Sequence, residues 1–126
     1  MAATLRMATA QGTWTGVART PAVLRAAIQI ANEHRGSKLA AAARLDDIDA
    51  WLKVEPFSGH ALWRHSLFHW LGLRAPFTRE YANLRWLREH GLRAPEPLAT
   101  AVLTRGCKAR YQLLATASVG PHDTLH

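Results

Sequence analysis

The sequence holds one cysteine, Cys107, in 126 residues, which excludes a disulfide framework within the chain and fits a reducing compartment. That thiol lies in a Gly-Cys-Lys stretch that reads as a turn. A reactive cysteine needs an electropositive, partly exposed site, so Cys107 is read as incidental. Long apolar runs are missing too. No window approaches the roughly 20 apolar residues that a spanning helix needs. Arg6, Arg19 and Arg25 interrupt residues 1–30 before a secretory pattern can form. A soluble chain, or one peripheral to a membrane, is expected. Acidic residues are few: nine Asp and Glu against sixteen Lys and Arg leave a net charge of +7. That sign favours anionic partners such as nucleic acid, phospholipid headgroups or phosphorylated substrates. Lysine is scarce within the basic set, being confined to Lys38, Lys53 and Lys108.

What the chain does have is core material. Apolar residues make up 48% of it and five are Trp, enough for one packed core at this length. Residues 1–20, rich in Ala, Thr and Gly, read as a loose leader that docks through Trp14. Pro21 to Ala31 fits two patterns. Leu24, Ala27, Ile28 and Ala31 suit a helix capped by Thr20-Pro21, whereas Leu24, Ala26, Ile28 and Ile30 alternate as a strand does. Local propensity favours the helix.

Leu39–Leu45 and Ile48–Val54 have hairpin spacing around Asp46-Asp47. In the second run Ile48, Ala50, Leu52 and Val54 point one way, and Asp49, Trp51 and Lys53 the other. Ala61–Leu71 reads as a short amphipathic helix with Trp63, Leu67, Trp70 and Leu71 on one side. Ala75–His90 is a stronger one, with Pro76 near its start, Gly91 at the C′ position and Pro95 beyond. Its apolar face is Phe77, Tyr81, Leu84 and Leu87. Leu98–Thr104 and Tyr111–Val119 read as strands joined by a turn over residues 105–108. Strands, then helices, then strands give an α+β class.

Glu80 stands beside the apolar face of the second helix, where a carboxylate is costly unless it reaches water or a cation. Two readings follow: an edge position bent to solvent, or a pair with a cation from another element, for which Lys53 is available. His65 and His69, one turn apart and near His60, could ligate zinc. No nearby cysteine or carboxylate completes that set, and a surface helix accounts for them. Trp63, Arg64, His65, Phe68, His69, Trp70 and Arg74 could stack on and pair with nucleic acid, or pack over a sheet and show a basic edge to anionic lipid.

Taken together, the run AWLKVEP, then TREYANLRWLREHGLRAPEPLATAV and YQLLATASVGPHDTLH, resembles the N-terminal lobe of the lipopolysaccharide kinase family (the Kdo and heptose kinases). Lys53, Glu80, Leu87, Gly91, Pro95 and Pro97 carry the resemblance, which runs from about Leu39 to Leu125. It implies that residues 21–126 form a protein-kinase-like N-lobe, a small antiparallel sheet with a packed helix. Lys53 would bind the α/β-phosphates of ATP and Glu80 would hold Lys53 in place. Pro21–Ala31 would become the first strand, and Asn32–Lys38 the loop above the phosphates.

The implied parent activity is ATP- and Mg-dependent phosphorylation of a lipopolysaccharide core sugar, in the cytoplasm at the face of the inner membrane. The sequence departs from that pattern in two ways. The phosphate-loop stretch has one glycine, Gly36, and after Lys53 the single aspartate is Asp123 and the last asparagine is Asn83. The aspartates and asparagine of a catalytic lobe are therefore lacking, no catalytic residue is assigned, and no phosphotransfer is expected from this chain alone. An apolar face left for a second lobe would favour self-association or a partner carrying that lobe. The competing reading is a non-enzymatic basic module that binds nucleic acid or a membrane surface.

Overall fold

The computed structural model describes residues 4–33, 38–57, 75–106 and 108–118. Among these residues, six strands and two helices follow one another as β1 (Leu5–Thr9), β2 (Gly12–Ala18), α1 (Pro21–Glu33), β3 (Leu39–Leu45), β4 (Ile48–Pro56), α2 (Pro76–Glu89), β5 (Pro97–Arg105) and β6 (Lys108–Ala117). The strands form one antiparallel sheet in the order β1-β2-β5-β6-β4-β3. The class is α+β.

The two helices cover opposite faces. Alternation along β4 sends Ala50, Leu52 and Val54 into the main core, which they share with Val23, Leu24, Ala27 and Ile28 of α1. Trp14, Ala101, Leu103, Leu113 and Ala115 complete that layer from β2, β5 and β6. On the other face Phe77 and Tyr81 of α2 rest on Leu114 of β6, with Val17 of β2 at the margin.

Several elements follow directly from local chemistry. Leu45 pairs with Ile48 across Asp46 and Asp47, whose φ angles of 49° and 65° are the left-handed pair that a type I′ hairpin demands. Pro76 occupies the first turn of α2, where its missing N–H is no loss. At the other end Gly91 has φ 75°, its N–H donates to the Arg88 carbonyl, and that of Leu92 donates to the Leu87 carbonyl. This is a full Schellman stop, satisfying carbonyls that the helix leaves open.

Two expectations are corrected. Residues 1–20 are no loose leader, because β1 and β2 form a hairpin that extends the sheet along β5. Trp14 is 1% exposed, and its indole N–H donates to the Asn32 side-chain oxygen at 3.1 Å. Alternating polar residues in TLRMAT and TWTGVA disguised a hairpin whose one face stays wet. The second correction concerns Pro21–Ala31, which the kinase resemblance turns into a first strand. It is helical, with the Thr20 hydroxyl accepting from Val23 N–H at 3.2 Å, so propensity and the cap decide. The Ala61–Leu71 helix, His60, His65 and His69, most of the Asn32–Lys38 loop, Cys107 and Asp123 lie outside the described residues.

Candidate functional site

Lys53 and Glu80 meet. Lys53 leaves β4 on the face opposite Leu52 and Val54, and that is the face α2 covers. Its ammonium donates to both Glu80 oxygens, at 3.1 Å to Oε2 and 3.4 Å to Oε1. The same nitrogen lies 5.1 Å from the centroid of the Phe77 ring, within cation–π range. Phe77 and Glu80 are three apart on α2, so one helical ridge supplies both the carboxylate and the ring beneath the lysine.

The helix is pinned in position by its neighbour strand. Ala75 offers no side-chain cap. Instead, Gln112 of β6, 4% exposed, accepts from the Phe77 N–H at 2.9 Å. A buried side chain on the sheet thus satisfies a donor that the first turn leaves open. Phe77 is set down over Lys53 as a result.

The ion pair is open to solvent: the lysine and glutamate side chains are 32% and 44% exposed. A pair this wet contributes only about 0.2–1 kcal/mol to folding. Its larger effect is to fix the direction of one ammonium. Around it, among the described residues, the sheet carries small side chains. Ala40 of β3 is the register partner of Lys53, and Ala42 is the partner of Trp51. These small exposed side chains leave room above the sheet edge. Trp51, two residues before Lys53 and on its face, is 45% exposed.

Tyr81 follows Glu80 and turns inward. It is 5% exposed, and burial pushes its phenol above the ordinary value of 10.0, with Arg85 pulling it partly back and Glu96 adding to the rise. A raised folded pKa means the folded chain keeps a proton that the unfolded chain loses. That stability is present in full below about pH 10 and is lost as pH rises through the folded value. In a Tyr111→Phe variant, whose one remaining phenol is Tyr81, phenolate absorbance should appear above pH 10 and together with unfolding. A phenol titrating at its ordinary value in the folded protein would contradict this.

Among the described residues, no group of three or more His, Cys, Asp or Glu side chains could hold a metal ion. The magnesium that the resemblance implies thus has no carboxylate cluster to hold it among those residues. Nor, among those residues, is any helix long and apolar enough to cross a membrane. Sequence reasoning had put Phe77 on the apolar face without assigning it to the site, and it had missed Gln112. The one available signal for Gln112 was an amide in the otherwise apolar run YQLLATA.

No family model, curated protein or solved structure matches the chain.

Proposed function

We propose that this chain is the nucleotide-phosphate side of an ATP-dependent phosphotransferase of the lipopolysaccharide kinase type, inactive alone. The observation that carries the reading is the Lys53–Glu80 pair between β4 and α2. An ammonium fixed by a carboxylate and still one-third exposed can donate to a phosphate oxygen without leaving its partner. Strand order supports it as well. The lysine strand β4 lies beside β6, and β6 beside β5, while α2 follows the lysine strand in the chain and lies across β5 and β6.

Lys53 would hold the phosphates, Glu80 would orient Lys53, and the exposed face of Trp51 would offer a stacking surface for the base. The acceptor, a lipopolysaccharide core sugar at the cytoplasmic face of the inner membrane, would be bound by a partner or a further segment. The same partner would cover the open side of the sheet, and the net charge of +7 would draw the complex to anionic lipid. With α1 standing where the resemblance put a strand, the phosphates would lie more openly than beneath a glycine-rich hairpin. Weak binding by the chain alone is the consequence.

Calorimetric titration with ATP tests this. Saturable binding is expected, and Lys53→Met should weaken it by tenfold or more, about what a hydrogen bond to a charged group contributes. Glu80→Gln should weaken it less. Thermal midpoints should move little in either variant, because the pair adds little stability. Absence of saturable ATP binding to the folded wild type would refute the proposal. ATP binding unchanged by Lys53→Met, alongside tight salt-sensitive binding to a duplex DNA fragment, would favour the basic-module reading instead.

A further inference from the structure

A flank of α2 other than the one that carries Glu80 borders a cavity. A cleft of about 600 Å³ opens between α2, the β1–β2 hairpin and the start of β5. Its apolar wall is Leu5, Ala18, Pro21 and Pro97, and its polar wall is Tyr81, the arginines Arg19, Arg85 and Arg88, and the carboxylates Glu89 and Glu96. Tyr81, Arg85 and Arg88 recur at four and three residues along α2, so one helical ridge carries all three into the cleft.

Two observations make this more than a basic patch. First, Tyr81 is 5% exposed, yet among the described residues its hydroxyl has no hydrogen-bond partner. A buried phenol O–H without an acceptor costs about 1–3 kcal/mol, and this one lines the cavity. Second, the charges do not cancel. Arg19 is held by Glu96 at 2.8 Å and Arg85 by Glu89 at 3.7 Å. Arg88 donates to the neutral carbonyl of Ala94 at 2.9 Å. Three guanidiniums against two carboxylates leave a single positive charge on the lining.

We infer that this cleft binds a small monocarboxylate with a compact apolar body. A carboxylate supplies one negative charge, the acceptor that the Tyr81 hydroxyl lacks, and a planar fork matching a guanidinium. The apolar wall takes the remainder of the molecule, and the volume falls in the range of small-ligand sites. Burial keeps the phenol protonated through the neutral range and so a donor. The site is separate from Lys53 and does not depend on nucleotide binding.

The test is an amide-shift NMR titration of the full chain with benzoate and octanoate, with inorganic phosphate and octylamine as comparison arms. Saturable shifts are expected at Ala18, Tyr81, Arg85 and Arg88 with one or both carboxylates, and not with octylamine. Tyr81→Phe keeps the packing and removes only the hydroxyl. It should weaken binding about tenfold, as loss of a hydrogen bond to a charged acceptor requires. Arg88→Gln should weaken it similarly while leaving ATP titration unchanged. Three results would each overturn the inference: no saturable shift with either carboxylate, phosphate binding in their place, or equal affinity in Tyr81→Phe.

Discussion

Trp14→Ala is expected to destabilise the protein by about 3–5 kcal/mol, the range for truncating a large buried aromatic. Domains of ordinary stability hold roughly 5–15 kcal/mol in all, so this one side chain would account for a large share of the total. The indole is 1% exposed and lies in the main core with Leu103 of β5 as its register partner. It also satisfies Asn32 at the far end of α1. One side chain thus ties the hairpin to the sheet, and α1 to the hairpin. Trp14→Phe should be milder, losing the Asn32 bond and part of the volume. Urea denaturation followed by circular dichroism would measure both, and a midpoint unchanged by Trp14→Ala would mean the hairpin is not part of the cooperative unit.

Gly16→Val should be comparably damaging, by about 3 kcal/mol, for an opposite reason. Gly16 of β2 pairs with Ala101 of β5 and Leu5 of β1. A Cβ at this position would run into the Thr100 carbonyl oxygen and stand 2.6 Å from the Ala101 Cα and 2.7 Å from its Cβ. None of these atoms belongs to a side chain that can swing aside, so β2 and β5 must separate. Hydrogen exchange distinguishes the two variants. Gly16→Val should lose protection first along β1 and β2 while β3, β4 and β6 remain slow. Uniform loss of protection would show instead that the sheet opens as a whole.

How much of this could be read beforehand depended on whether a signal was local. Asp46-Asp47 between two apolar runs was enough for the β3–β4 hairpin, because few pairs adopt two successive positive φ angles. Pro76, Gly91 and Pro95 bracketed α2 for the same reason. The Lys53–Glu80 contact was legible by a longer route. Strand alternation placed Lys53 opposite Leu52 and Val54, and helical spacing placed Glu80 beside Phe77 and Tyr81, so a helix packed on that face had to bring them near. The N-terminal hairpin was not legible. Its partner strand is remote in sequence, and nothing within TLRMATAQGTWTGVA announces β5. The resemblance also misled at Pro21–Ala31, where a strand was implied in a segment whose own residues favour a helix. The cleft beside Tyr81 was out of reach for a similar reason, since its walls come from β1, β2, α2 and β5.

The hairpin's placement has a consequence for synthesis. The Thr104 hydroxyl reaches the Thr13 carbonyl across a sequence separation of 91, and Arg19 meets Glu96 across 77. A strand whose only inward neighbour is made so much later cannot dock while the ribosome is still building the middle of the chain. Trp14 and Val17 must therefore wait, uncovered, until β5 has emerged, while α1 can already pack on β3. The β3–β4 hairpin, closed by its own two-residue turn, can form long before. The nascent chain thus passes through an interval in which the apolar side of its first hairpin is open to chaperones, and slowing translation through residues 58–96 would lengthen that exposure.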